Sequence, residues 1–290
     1  MKHLCISGGG SEIPALAGAC SRIMKEHYDP DMITGVSSGA ILTAPLALGM
    51  HETIKELSTN VSLDRVFSVE PLGRRGNISL KGILRILQGK PSIGSMGDLR
   101  RLYMDIITKE DFIQLQKCGR YVGVLVTNMN RGTGAFVLAS QVGYEDWVDY
   151  VIASASVPVF APPVTVGRTQ YLDGGVVMHN PSNYILNKYS VTSMVEVYAR
   201  STAFGYHQEI KNVGNSLENT INHMTRAISE LNSRYSVLWC KHNHTELAQV
   251  FTGNNMESLF DFNNERLEYA YLKGEESAKQ LKWQNKKKKA

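Results

Sequence analysis

The chain of 290 residues contains no run of eighteen apolar residues, so no transmembrane helix is expected. Its first ten residues, MKHLCISGGG, lack a basic segment followed by an apolar stretch, which argues against a secretory signal peptide. Cysteine is scarce: Cys5, Cys20, Cys118 and Cys240 are scattered, with no C-x-x-C pair. They read as free, mostly buried thiols in a reducing compartment, and a cytoplasmic location is expected. No histidine spacing makes a credible metal site, since His242-x-His244 has no evident third ligand. Excess charge is also missing. The net charge is +4, much of it in the last few residues, so the body is nearly neutral and nucleic-acid binding is not expected. There is no internal repeat and no long low-complexity segment.

What remains is the balance of an ordinary globular protein, 43% hydrophobic and 20% charged, able to bury a sizeable core. The first fifty residues read strand, glycine loop, helix, strand, turn, helix. That βαβα beginning predicts an α/β fold, a central mostly parallel sheet with helices on both faces. Residues 51–118 read as a largely helical insertion or lid region, with Ser79 and the pair Thr108/Asp111 as helix caps. Within it, GKPSIGSMG is rich in Gly, Ser and Pro and reads as a mobile connection. YVGVLVT is a near-continuous apolar strand for the middle of a sheet. GAFVLAS and SMVEVYA are further strands. Residues 205–290 read as a C-terminal helical part with a basic tail. The apolar residues Val213, Leu217, Ile221, Met224, Ile228, Leu231 and Tyr235 make one stripe, expected to pack on the core, with a pocket or self-association role as the sharper alternative. A last helix is predicted over 265–283. One catalytic domain, residues 1–290, is the simplest organisation.

Three short stretches suggest chemistry. Gly35-Val36-Ser37-Ser38-Gly39 lies where a strand becomes a small-residue helix. A G-x-S-x-G pattern arises by accident in roughly one chain in ten of this length, but the strand–turn–helix setting favours an exposed nucleophilic serine, Ser37, over a structural turn. Gly8-Gly9-Gly10 follows the first strand. A Walker loop is excluded by the missing G-K-[ST], and a dinucleotide fingerprint wants glycine where Ile13 stands. The triplet is better read as backbone donors for an oxyanion. Candidate partners for Ser37 are Asp173 and the histidines His179, His207 and His223. An α/β-hydrolase order of serine, acid and histidine is possible, but its elbow follows several strands, and here at most one precedes it. A carboxylate base at Asp173, before Gly174-Gly175, is the remaining choice, and the alternative is a plain D-G turn.

Together these stretches resemble the patatin-like phospholipase family. The likeness covers about residues 1–200, and VTNMNRGTGAFV, ASASVPVFAPPV and DGGVVMHNPS fit its supporting context. The resemblance implies a serine–aspartate dyad, Ser37 and Asp173, with Gly8, Gly9 and Gly10 as the oxyanion hole and Gly35, Gly39, Gly174 and Gly175 as supporting turns. It implies hydrolysis of lipid acyl esters, of phospholipase A type, at a membrane surface, with no metal or organic cofactor. An acyltransferase or soluble-ester esterase, or a catalytically silent lipid-binding module, is the alternative. A homo-oligomer or protein activator is compatible with it. Two positions depart from the family pattern. Ser11-Glu12-Ile13 replaces a small residue, a basic residue and a glycine, and the loop is expected to tolerate this because backbone donors do not need that side chain. His179 stands where many relatives have asparagine, and a hydrogen-bonding support role is expected for it. Finally, the four lysines at 286–289, after a helix carrying Trp283, suit peripheral contact with anionic lipid.

Overall fold

The computed structural model describes residues 1–73, 75–201, 210–253, 255–256 and 258–285. The lysines at 286–289 and His207 lie outside the described residues. Lys2–Ile6 (β1) leads through the glycine loop to Ile13–Arg22 (α1), and Met32–Gly35 (β2) to Ser38–Ala47 (α2). Five helices follow: His51–Thr59 (α3), Leu63–Val66 (α4), Leu80–Leu87 (α5), Gly97–Ile106 (α6) and Lys109–Lys117 (α7). Next come Tyr121–Asn128 (β3), Thr133–Leu138 (β4), Tyr144–Ala155 (α8), Val164–Val166 (β5), Thr169–Asp173 (β6), Ser182–Lys188 (α9) and Ser193–Tyr198 (β7). Val213–His242 (α10), Glu246–Phe251 (β8), Asn264–Ser277 (α11) and Trp283–Gln284 (β9) complete the described chain.

The nine strands among the described residues form one mixed sheet in the order β5-β6-β3-β2-β1-β7-β8-β9, with β4 paired to β3. The centre, from β3 through β2, β1 and β7 to β8, is parallel. Its strands are apolar on both faces because helices cover both. On one face Ile33, Val195, Val197 and Val250 pack with Leu16 and Cys20 of α1, with Ile23 just beyond its end, and with Tyr271 of α11. On the other Met32, Met194 and Leu247, one residue out of phase, meet Ile185 and Leu186 of α9 and Cys240 of α10. The alternation is the period of two that a strand imposes.

The register of β3 brings the two ends of the site together. One edge of β3 pairs with β4 from Gly123 to Asn128. The opposite edge takes β2 up to Val124, where β2 ends, and β6 from Val126 onward. The last residue of β6, Asp173, therefore sits just beyond the end of β2, where the Gly35–Gly39 turn begins.

Several sequence expectations change. The C-terminal part is not all helical: β8 extends the parallel sheet, and the last helix stops at Ser277. Trp283 is not on that helix but in β9, where its ring packs 5.6 Å from that of Tyr28. The GKPSIGSMG stretch is tied down, with the Ile93 N–H donating to Val159 O at 2.9 Å and Val69 bridging to Ser95. The caps are as read: Ser79 accepts from the Gly82 N–H, and Thr108 and Asp111 close a capping box.

The largest difference concerns α10. Its buried positions are polar, among them Asn215, Glu218, Ser229, Asn232 and Ser236, while Val213, Met224, Leu231 and Tyr235 of the apolar stripe are exposed. Of the stripe, Leu217 and Ile221 pack on the apolar cluster of Leu72, Ile93 and Phe160, but most of the inner face pairs with polar groups. Asn232 Oδ1 accepts from the His179 N–H, and the Ser236 hydroxyl donates to Glu196. Those hydrogen bonds orient the helix more strongly than its hydrophobic period does.

Candidate active site

Ser37 occupies the first non-helical position before α2, with φ 55° and ψ −126°. A residue other than glycine held there stores on the order of 1–3 kcal/mol of strain, which the surroundings must over-determine. They do so in two ways. A Cβ on Gly35 would strike the Gly39 carbonyl, and one on Gly39 would strike the Ser7 carbonyl, so only glycine lets the turn close against β1. In addition, the Ser37 N–H donates to Ser154 Oγ at 2.9 Å, and Ser154 donates onward to Leu125 O at 2.7 Å. Ser154, on α8, therefore pins the turn to β3. The Ser37 hydroxyl makes no cap hydrogen bond to α2 and is left for other work.

That hydroxyl faces Asp173. Both side chains are buried, with Ser37 7% and Asp173 5% exposed. Burial pushes the Asp173 carboxyl up to about 7, while the Ser37 hydroxyl and the Gly175 N–H, both favouring the ionised form, hold it down. The Gly175 N–H reaches Asp173 Oδ1 at 2.7 Å. Three further contacts fix the Asp173 backbone and the turn after it: the Asp173 N–H donates to Ser156 O, Thr127 donates to Asp173 O, and a Cβ on Gly174 would collide with Leu125 O.

The glycine loop lies against the serine. A Cβ on Gly8 would stand 3.0 Å from that of Ser37. The Gly8 N–H, however, is committed to His179 O at 3.2 Å. Among the described residues the N–H groups of Gly9 and Gly10 have no protein acceptor, so the donor capacity expected of all three glycines falls to these two. Gly10 adopts φ +54°, and Gly9 has no room for a side chain beside Ala199.

Glu12 holds this loop in place, a role the sequence did not suggest. It is buried and accepts from the Asn255 N–H at 2.5 Å, the Asn255 side-chain amide at 2.9 Å and the Met256 N–H at 2.8 Å. Burial raises its pKa, and these hydrogen bonds oppose the rise. The neighbouring segment is fixed from the other side by Glu218 of α10, which accepts from the Ser258 hydroxyl at 2.5 Å and the Leu259 N–H at 2.7 Å. Leu259 O in turn accepts from the Ser11 N–H. Two buried carboxylates thus clamp Asn255, Met256, Ser258 and Leu259 onto the glycine loop. An arginine at position 12 would remove the acceptor of all three hydrogen bonds and leave the Asn255 and Met256 main-chain N–H groups without their partner.

His179 also differs from expectation. Its backbone makes the hydrogen bonds, to Gly8 and Asn232, while ring atom Nδ1 is buried without a partner among the described residues. Burial, helped by the Arg200 guanidinium, lowers its pKa to about 4, so the ring is neutral at pH 7. His223 lies on α10, exposed. Among the described residues no cluster of three His, Cys, Asp or Glu is placed to ligate a metal ion.

Ser37, Ser38 and Gly10 line an apolar cavity of about 990 Å³, counting its opening to solvent. Leu42, Met96, Leu99, Phe160 and Phe260 are among its walls. This lining is that of a site for hydrocarbon.

The patatin-like phospholipase family model matches residues 4–185, a span that includes the glycine loop, Ser37 and Asp173. A patatin-like phospholipase domain-containing protein of Chaetomium globosum is 41% identical over 54 residues, 19% of this chain and 6% of that protein. The crystal structure of VipD from Legionella pneumophila shares the fold at 15% identity and a TM-score of 0.53, covering 96% of this chain and 66% of VipD. The type III effector protein ExoU is 14% identical with a TM-score of 0.45, over 95% of this chain and 51% of its own. The chain spans a small fraction of the curated relative and just under two thirds of VipD.

Proposed function

From the premise that this chain belongs to the patatin-like phospholipase family, we propose that it is a lipid acyl hydrolase of phospholipase A type, acting through an acyl-Ser37 intermediate with Asp173 as base. The observation that carries this reading is the Ser37 hydroxyl beside a buried carboxylate raised to about 7, on the wall of an apolar cavity. A base poised near the working pH is both ionised often enough and basic enough to take the serine proton.

In the proposed cycle Asp173 accepts the proton from Ser37 Oγ as that oxygen bonds to the ester carbonyl carbon. The negative charge that develops on the carbonyl oxygen falls to the Gly9 and Gly10 N–H groups, each such donor being worth about 3–4 kcal/mol in the transition state. The positive end of α2, which begins at Ser38, acts in the same sense. Collapse breaks the ester bond, and the Asp173 proton passes to the leaving alcohol. Water, deprotonated by Asp173, then attacks the acyl carbon; the acyl–Oγ bond breaks, the proton passes from Asp173 to Ser37 Oγ, and the fatty acid leaves the free enzyme. His179, whose ring is neutral, takes no proton in this scheme. The acyl chain lies in the apolar cavity, roofed by α3 and α6 of the helical 51–118 region, and residues 1–290 act as one catalytic domain.

The test is release of fatty acid from phosphatidylcholine by the parent chain and by Ser37→Ala. Turnover lost in the variant, with its circular dichroism unchanged, supports the reading. Equal turnover in both places the nucleophile elsewhere.

A further inference from the structure

Helix α5 presents its apolar side chains outward. Leu80 is 81% and Leu87 77% exposed, and Ile83, Leu84 and Ile86 are exposed as well. Only Gly82 of its eight residues is buried, seated on Ile93 O and Ile78. Five large hydrocarbon side chains on one short helix are far more than the scattered apolar residues of an ordinary surface. The face does not stand alone. Leu72, Ile93 and Phe160 form one cluster with Ile78 beneath α5 and with Leu217 and Ile221 of α10, whose stripe continues outward through Val213 and Met224. Phe160 is at the same time a wall of the cavity. The exposed apolar surface is thus joined to the cavity through the buried Phe160 ring and its neighbour Phe260.

Charge says what covers it. Residues 71–97 contain five cations, Arg74, Arg75, Lys81, Arg85 and Lys90, and no Asp or Glu. Lys81 and Lys90 are exposed on and just after the helix. Cations around an outward hydrocarbon face suit an anionic bilayer, where the side chains enter the acyl boundary and the cations meet the headgroups. A second copy of this chain would instead oppose Lys81 and Lys90 to themselves.

We propose that α5, with the adjoining start of α10, docks the protein on an anionic phospholipid bilayer next to the cavity. The inference rests on the lipid-hydrolase reading for its purpose, since it would bring the cavity to its substrate, but its test does not need turnover. This places membrane contact on α5 and removes Trp283, which is packed on Tyr28, from that role.

The experiment is flotation of the full chain with vesicles of phosphatidylcholine alone and of phosphatidylcholine with phosphatidylserine. Three chains are compared: the parent, Leu84→Ser with Leu87→Ser, and Lys81→Glu with Lys90→Glu. Hydrolysis of a short soluble ester is measured in parallel. The parent is expected to bind the mixed vesicles and to release at high salt. Loss of two inserted leucines should weaken binding about a hundredfold, and the charge reversal should remove the preference for phosphatidylserine. Soluble-ester turnover should be unchanged in both variants, showing that they fold. In Leu84→Trp, brominated acyl chains should quench the added fluorescence. A parent that ignores vesicles, variants that bind as the parent does, or a parent dimer that Leu84→Ser with Leu87→Ser makes monomeric would each overturn the proposal. Vesicle binding as expected with no ester turnover by the parent would leave docking standing and reject the hydrolase.

Discussion

Replacing Asp173 with asparagine should disable the enzyme and stabilise the fold, by an amount that depends on pH. In the folded protein the carboxyl titrates at about 7 because it is buried, against 3.8 for the free group. Between these values the folded state binds the proton and the unfolded state does not, so stability falls as pH rises from about 4 to about 7 and then levels off. The cost of keeping the ionised carboxylate is about 1.5 kcal/mol at pH 5 and about 4 kcal/mol at pH 8, from a shift of about three units. Asparagine does not titrate. Its side-chain oxygen can keep the Gly175 N–H that Asp173 Oδ1 now accepts at 2.7 Å, and its amide can donate to Ser37. Urea unfolding of the two proteins at pH 5 and pH 8 gives the comparison. The advantage of the variant should grow by about 2–3 kcal/mol between the two pH values. A variant less stable than the parent at pH 8, or a difference that does not change with pH, would refute the burial argument. In the parent, kcat/KM on a soluble ester should rise about tenfold per pH unit below about 7 and flatten above it, as the base ionises.

Other consequences follow from the same contacts. Ser37→Gly should be inactive yet more stable than Ser37→Ala by about 1–3 kcal/mol in urea unfolding, because only glycine relaxes the backbone at φ 55°. Ser154→Ala should leave the buried Ser37 N–H without its acceptor, costing about 1–3 kcal/mol of stability, and should lower kcat more than it changes KM. Glu12→Arg should destabilise the chain by several kcal/mol, about 3 or more, while Glu12→Gln keeps an acceptor for the Asn255 and Met256 N–H groups and should retain most activity. Thermal unfolding and soluble-ester turnover of the two variants check this.

The parts of the molecule legible in the sequence are those set by local pattern. The βαβα beginning, the apolar strand at 121–127 and the turn at Ser37 follow from short stretches whose geometry depends on near neighbours. Asp173 was reachable only as a motif in order along the chain, because its nearness to Ser37 depends on β6 taking the edge of β3 that β2 vacates. Glu12 was unreadable for a different reason. Its partners Asn255 and Met256 lie some 243 residues away, and a carboxylate that accepts only main-chain and amide donors leaves no charge pattern in sequence. Ser154 sat within a quoted motif without any sign that it would receive the Ser37 N–H. Helix α10 misled because hydrophobic period names an apolar face but not where it points. There most buried contacts are polar, and Met224, Leu231 and Leu238 face out while Leu217 and Ile221 face in.

The central claim, that Ser37 is the nucleophile activated by Asp173, is tested most directly by labelling with a fluorophosphonate and mapping the adduct by peptide mass spectrometry across a range of pH. The account predicts one adduct, on Ser37, forming at a rate that rises with pH and levels off above about 7, and lost in Asp173→Asn. An adduct on another residue, or labelling of Ser37 at an undiminished rate in Asp173→Asn, would contradict it.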